Sequence, residues 1–197
     1  MANFYSKQPV PDESVYQKKL EITQEYLRSD MSVVEFGCGT GSTAIAHGPH
    51  VGHIRAVDVS SKMIEIARAK AHEAGATNVD FEQSTIGAFS APEESLDVVL
   101  GLSILHLLED KQAAIAKIYR LLKPGGLFVS STACLGDTRI KYLKLAISLG
   151  RILGLLPRVA FFPKQELNDA MLQSGFAMDY EWQPGEGKAV FIVAKKH

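Results

Sequence analysis

Residues 33–67 read VVEFGCGTGSTAIAHGPHVGHIRAVDVSSKMIEIA, and the rest of the chain organises around this stretch. An apolar strand (SVVEF, 32–36) runs into Gly37-Cys38-Gly39-Thr40-Gly41, and a short helix follows, ending near Gly48-Pro49. A second apolar strand, HIRAVD (53–58), ends on Asp58, 21 residues after Gly37. Glycines at that spacing let the backbone turn sharply and approach a ligand closely. An acid at the tip of the second strand can accept both hydroxyls of a ribose. These features suit any Rossmann-like nucleoside site, NAD sites included. The dinucleotide pattern G-x-G-x-x-G/A, however, needs Gly or Ala at position 42, and this chain has Ser42. Here an acid, Glu35, stands two residues before the first glycine.

Working outward, short apolar runs alternate with helical patterns, which predicts a mostly parallel sheet covered by helices. A helix is expected over 14–28, with Val15, Leu20, Ile22, Tyr26 and Leu27 on one face. Ser60 can cap the next helix, with Met63, Ile64, Ala67 and Ala71 inward and Gly75 as its stop. Further strands are expected at 78–83, 96–103 and 127–132. A helix over 110–122 should break at Lys123-Pro124-Gly125-Gly126. The chain closes with a helix over 164–174 and a hairpin of FAMDYEW (176–182) and KAVFIVAK (188–195). No linker divides the 197 residues, so they read as a single domain with an N-terminal helical cap over 1–30. Residues 135–162 are too long for an ordinary connection. Their polar residues Lys141, Lys144, Ser148 and Arg151 form one narrow stripe of a helix. We expect a helical insertion or lid whose Tyr142, Leu145, Leu149 or Leu153 roofs an apolar acceptor pocket; a helix packed on the domain edge, a dimer surface and a membrane-contacting helix are the other readings.

Composition narrows the function classes. Twenty-one Lys+Arg against twenty-two Asp+Glu give a net charge of −1, unlike the basic excess of a nucleic-acid binder. Cys38 and Cys134 cannot supply a disulfide framework or a four-cysteine metal site, and no metal is expected. The first residues lack the apolar core of a signal peptide, and no apolar run reaches membrane-spanning length. These points favour a cytoplasmic enzyme, monomer or homodimer, with peripheral membrane contact left open.

Glu35-Phe36-Gly37-Cys38-Gly39-Thr40-Gly41 resembles the first motif of the class I S-adenosylmethionine-dependent methyltransferases, and Ala56-Val57-Asp58-Val59-Ser60 resembles their ribose site. Ser95-Leu96-Asp97-Val98-Val99 and Leu121-Leu122-Lys123-Pro124-Gly125-Gly126 are similar to the family's fourth-strand motif and the loop before strand five. The resemblance implies an α/β, Rossmann-like, seven-stranded sheet whose last hairpin contributes one antiparallel strand. It implies S-adenosyl-L-methionine as cofactor and S-adenosyl-L-homocysteine as product. Gly37, Cys38 and Gly39 would pass near the methionine portion, and Asp58 would take the ribose; Glu35 would join the cofactor-binding set, with satisfying the loop's backbone donors as its plain alternative. Val59 and Met63 would flank the adenine, with Thr85 and Ile86 beside it. Many relatives carry an Asp where this chain has Thr85, so no charge is available at that contact. Gly101 and Leu102 would line the sulfonium, and Tyr16 and Lys19 could reach the cofactor's carboxylate. His106 sits where relatives often place a His near the substrate mouth; it is the candidate general base, with a packed or capping role as its plain alternative.

The residues after strand four, Gly101-Leu102-Ser103-Ile104, lack the Asn/Asp-Pro-Pro-aromatic pattern that resembles amino-methylating enzymes of DNA or protein glutamine. The expected function is therefore methyl transfer to a small, rather lipophilic acceptor. Its rivals are a non-catalytic adenosylmethionine- or nucleoside-binding protein and an NAD-dependent oxidoreductase.

Overall fold

The computed structural model describes residues 12–134, 136 and 160–197. The insertion residues Tyr142, Leu145, Leu149 and Leu153, and the stripe Lys141, Lys144, Ser148 and Arg151, lie outside the described residues.

Five helices and seven strands make up the described chain. In order they are α1 (Glu13–Tyr26), β1 (Ser32–Phe36), α2 (Ser42–His47), β2 (His53–Asp58), α3 (Ser61–Ala74) and β3 (Val79–Gln83). There follow β4 (Leu96–Leu102), α4 (Lys111–Leu121), β5 (Leu122–Thr132), α5 (Lys164–Gln173), β6 (Phe176–Trp182) and β7 (Val190–Lys196). The strands form one sheet in the order β3-β2-β1-β4-β5-β7-β6. The first five pair in parallel, and β7 runs antiparallel to both β5 and β6, as the resemblance implied. Strand order reverses between β1 and β4, so a crevice opens at their carboxyl ends.

The apolar runs become strands because both sheet faces are covered. Alternation sends Val34, Val99 and Phe128 to one core, with Ile115 and Ile118 of α4 and Leu167 and Met171 of α5. Val33, Val98 and Val129 face the other, with Ile64, Ala67 and Ala71 of α3 and Ile22 of α1. Helix starts follow their caps: Asp12, Ser60 and Asp110 accept from the amides of Val15, Met63 and Ala113. Gly75, at φ +65°, stops α3 as expected.

One local expectation gains detail and another needs correction. On α1 the buried residues are Leu20, Ile22 and Thr23, while Val15, Tyr26 and Leu27 are half-buried; the Thr23 hydroxyl is satisfied by the Lys19 carbonyl at 2.7 Å. The expected break at 123–126 is instead a bulge within β5, because Leu122 already pairs with Leu96 before Leu127 pairs with Val98. Asp97 holds that bulge, accepting from Lys123 Nζ at 2.7 Å and from the Ser32 amide at 2.8 Å.

Candidate functional site

The glycine loop is fixed by its neighbours. Phe36 lies in register with Val57, and the Val57 carbonyl accepts from both the Gly37 amide (2.8 Å) and the Cys38 amide (3.0 Å). Gly37, Gly39 and Gly41 all take positive φ, the region that side chains disfavour. They differ in surroundings. A Cβ on Gly41 would lie 2.6 Å from the Phe81 ring and 2.9 Å from Ala67, whereas one on Gly39 would meet nothing within 4 Å. Gly41 is thus required by packing, and Gly39 presents bare backbone to an open face.

Asp58 closes the loop from the other side. Its Oδ2 accepts from the Gly39 amide at 3.0 Å, and its Oδ1 accepts from the Ser60 amide at 2.9 Å. The end of β3 joins here, since the Ser84 amide donates to the Asp58 carbonyl and Gln83 Nε2 to the Val59 carbonyl, both at 3.0 Å. Beside this carboxylate Val59 is 65% exposed, an apolar surface next to a polar one, and Met63 is half-buried. The Thr85 hydroxyl accepts from the Ala88 amide at 3.0 Å, and Ile86 packs on the core.

A cleft of about 190 Å³ opens beside the loop, lined by Tyr16, Lys19, Glu35, Gly37, Cys38 and Leu102. Glu35 is buried, and its Oε2 has no hydrogen-bond partner among the described residues. Burial pushes its carboxyl up to about 8, against the pull of the Ala44 amide and with the Asp58 carboxylate adding to the rise. The Cys38 thiol is pushed up by burial, and further by Glu35 and Asp58. It is a packed thiol rather than a nucleophile. Lys19 Nζ donates to Ser131 Oγ at 2.9 Å, and burial lowers its pKa. The Tyr16 hydroxyl lies 3.4 Å from Thr43 Oγ1.

The cleft also takes in Thr43, His47, Ser103 and Ser131, which sequence reasoning missed. Thr43 and His47 stand four apart on α2, so projecting that helix from the glycine loop would have found both. His47 is fully buried with both ring nitrogens unpartnered among the described residues, and burial lowers it to about 4. Gly101 is buried against Phe128, 2.9 Å from where a Cβ would be, and is not among the residues lining the cleft, whereas its neighbour Leu102 is. His106 lies apart from these residues in the short turn Leu105–Leu107. Its Nδ1 is buried without a partner, its carbonyl accepts from the Ala160 amide at 2.7 Å, and burial lowers its pKa.

The residues present fit an adenosylmethionine. A buried carboxyl oxygen has no partner among the described residues, a half-buried glycine backbone borders open space, and a carboxylate pinned by two amides stands beside an exposed apolar side chain.

The profile of the methyltransferase domain family matches residues 33–126. The uncharacterized methyltransferase YcgJ of Bacillus subtilis is 33% identical over 102 residues, covering 52% of this chain and 40% of that protein. A ubiquinone biosynthesis O-methyltransferase of Roseobacter denitrificans is 29% identical over 150 residues, covering 74% of this chain and 59% of the relative. In both cases the chain spans less than two thirds of the relative's own length. The crystal structure of YcgJ superposes with a TM-score of 0.71 at 19% identity, covering 91% of this chain and 95% of that one. A geranyl diphosphate methyltransferase in complex with S-adenosylmethionine superposes with a TM-score of 0.74 at 15% identity, covering 91% and 85%. Fold and sequence matches agree with the loop geometry: residues 33–126 match the methyltransferase domain family, and the chain has the Rossmann-like fold of solved methyltransferases.

Proposed function

We propose that this protein transfers a methyl group from S-adenosylmethionine to a small, rather lipophilic acceptor. The observation that carries this reading is the buried Glu35 Oε2, unpartnered in a cleft beside the glycine loop. A buried acceptor of that kind is costly unless a ligand supplies a donor. The ammonium of the cofactor's methionine portion is such a donor. Tyr16 and Lys19 then take the carboxylate of that portion, Asp58 the ribose hydroxyls, and Val59 and Met63 the adenine faces. Thr85 contributes its remaining hydroxyl capacity at the adenine edge, beside Ile86. Leu102 borders the sulfonium, with Gly101 packed next to it in the chain.

When bound, the cofactor supplies an already activated methyl group. The protein's task is to align the acceptor with it, and orientation of this kind can supply several kcal/mol. A general base is needed only where the acceptor must lose a proton. His106 is the candidate for that role: its Nδ1 is buried with no partner among the described residues, and burial disfavours its cation. The names of a relative, a ubiquinone biosynthesis O-methyltransferase, and of a structural neighbour, a geranyl diphosphate methyltransferase, support a small lipophilic substrate.

Calorimetry with S-adenosylmethionine, S-adenosylhomocysteine and NAD tests the cofactor. The first two are expected to bind and NAD is not, and tighter binding of NAD overturns the reading. Incubating compound pools with methyl-labelled adenosylmethionine then identifies the acceptor, and binding without any transfer points to a non-catalytic role.

A further inference from the structure

A second groove, of about 320 Å³, lies between α1 and the turn joining β6 to β7, and it shares Tyr16, Lys19 and Ser103 with the cofactor cleft. The two spaces therefore adjoin across these three side chains, next to Leu102 at the end of β4, which lines the cofactor cleft. The geometry points to this groove as the acceptor site, for a small molecule with an apolar body and an anionic group that Lys188 holds. The assignment rests on the methyl-transfer reading.

The walls are built and held. Val15 of α1 faces Pro184 and Ala189 of the turn. Helix α1 is tied to β6 by the Tyr26 hydroxyl donating to Asp179 Oδ2 at 2.6 Å and by Lys18 Nζ lying 4.4 Å from the Trp182 ring centre. The turn is closed by the Lys188 amide donating to the Gly185 carbonyl at 3.1 Å and by Gln183 Nε2 donating to the Lys188 carbonyl at 2.8 Å. At the junction the Ser103 amide donates to the Ser131 carbonyl at 2.7 Å, which fixes the floor where groove and cleft meet.

Charge gives the class of ligand. The groove carries two cations, Lys19 and Lys188, against one anion, Asp12. Asp12 is committed to the start of α1, accepting at Oδ1 from Ser14 Oγ (2.8 Å) and from the Val15 amide (3.3 Å). Lys19 is held on Ser131 at the cofactor side. Lys188 makes no side-chain hydrogen bond or close ion pair among the described residues; it is exposed, lines the groove, and its charge acts on Asp12 at longer range. An apolar slot with one convergent charged group is the usual build of a small-molecule site. A cation there favours an anionic ligand and disfavours a cationic one.

Two fluorescent probes test this on the full chain saturated with S-adenosylhomocysteine: anilinonaphthalene sulfonate and N-phenylnaphthylamine, which share a ring system and differ by the sulfonate. The sulfonate is expected to bind at least about fivefold tighter, and Lys188→Glu to weaken it about tenfold while moving the neutral probe less than about twofold. Lys188→Arg retains the preference. Ala189→Trp fills the slot and weakens both probes. Sulfonate affinity unmoved by Lys188→Glu and Ala189→Trp, or tighter binding of the neutral probe, overturns the assignment. Calorimetry of S-adenosylhomocysteine, unchanged in all three variants, separates this outcome from a failure of the methyl-transfer reading, which shows as no binding of that ligand to the unmodified protein.

Discussion

Asp58 Oδ2 accepts a 3.0 Å hydrogen bond from the amide of Gly39, so the acid that would hold the ribose also holds the glycine loop. The bond exists because β1 and β2 are adjacent and in register, with the Gly37 and Cys38 amides both on the Val57 carbonyl. The loop is therefore set in place before any ligand arrives. Each Asp58 oxygen spends one acceptor position on backbone, through Gly39 and Ser60, and keeps another for a ligand hydroxyl.

Asp58→Ala is expected to weaken adenosylmethionine binding at least tenfold, since each charge-assisted hydrogen bond lost is worth roughly 1.5–3 kcal/mol. Circular dichroism should show the fold retained. Unchanged affinity in calorimetry would place the ribose elsewhere.

Gly39→Ala and Gly41→Ala should separate binding from stability. Both residues have positive φ, but only a Cβ on Gly41 runs into Phe81 and Ala67. Gly41→Ala is expected to cost about 2–4 kcal/mol of stability, and Gly39→Ala about 1–2 kcal/mol with a larger loss of cofactor affinity. Thermal melts and calorimetry on the two variants read the contrast, and equal stability losses would contradict the packing argument.

Glu35 gives a pH signature. Its carboxyl is raised from 4.5 to about 8, so the folded, ligand-free protein holds a proton there that the unfolded chain has released. The stability linked to that proton is full below about pH 4.5 and is lost as pH rises through about 8. Glu35→Gln should flatten this part of the melting-temperature profile. If the cofactor's ammonium pairs with the carboxylate, binding at neutral pH releases the proton, and the binding enthalpy will vary with buffer ionisation heat. A buffer-independent enthalpy would show that Glu35 does not meet the ammonium.

His47 carries the opposite sign. Its imidazole is lowered from 6.5 to about 4, so its contribution is full above pH 6.5 and is lost as pH falls through about 4. His47→Gln should make acid destabilisation shallower over that window. An acid unfolding profile identical to that of the unmodified protein would contradict the burial of the neutral ring.

His106→Ala is expected to leave cofactor affinity within about twofold, because the ring lies outside the cleft lining. With an acceptor that must lose a proton, turnover should fall about a hundredfold. Full turnover with such an acceptor removes His106 from the reaction.

Much of this protein was legible in its sequence. The strand ends at Phe36, Asp58 and Gln83, the caps at Ser60 and Gly75, and the glycine loop all answer to local demands. Apolar runs mark buried strands, short polar side chains satisfy the free amides of helix starts, and positive φ calls for glycine. The 123–126 bulge was not legible, because Pro-Gly-Gly signals a break equally well; the Asp97–Lys123 pair, between residues of different elements, keeps the segment in the sheet. Tertiary structure alone brought Lys19 onto Ser131, put Thr43 and His47 in the cleft with Glu35, and set Lys188 across a groove from Val15. Those meetings depend on strand register and on how α1 lies against β6. They are properties of segments far apart in the chain, and no local pattern of residues encodes them.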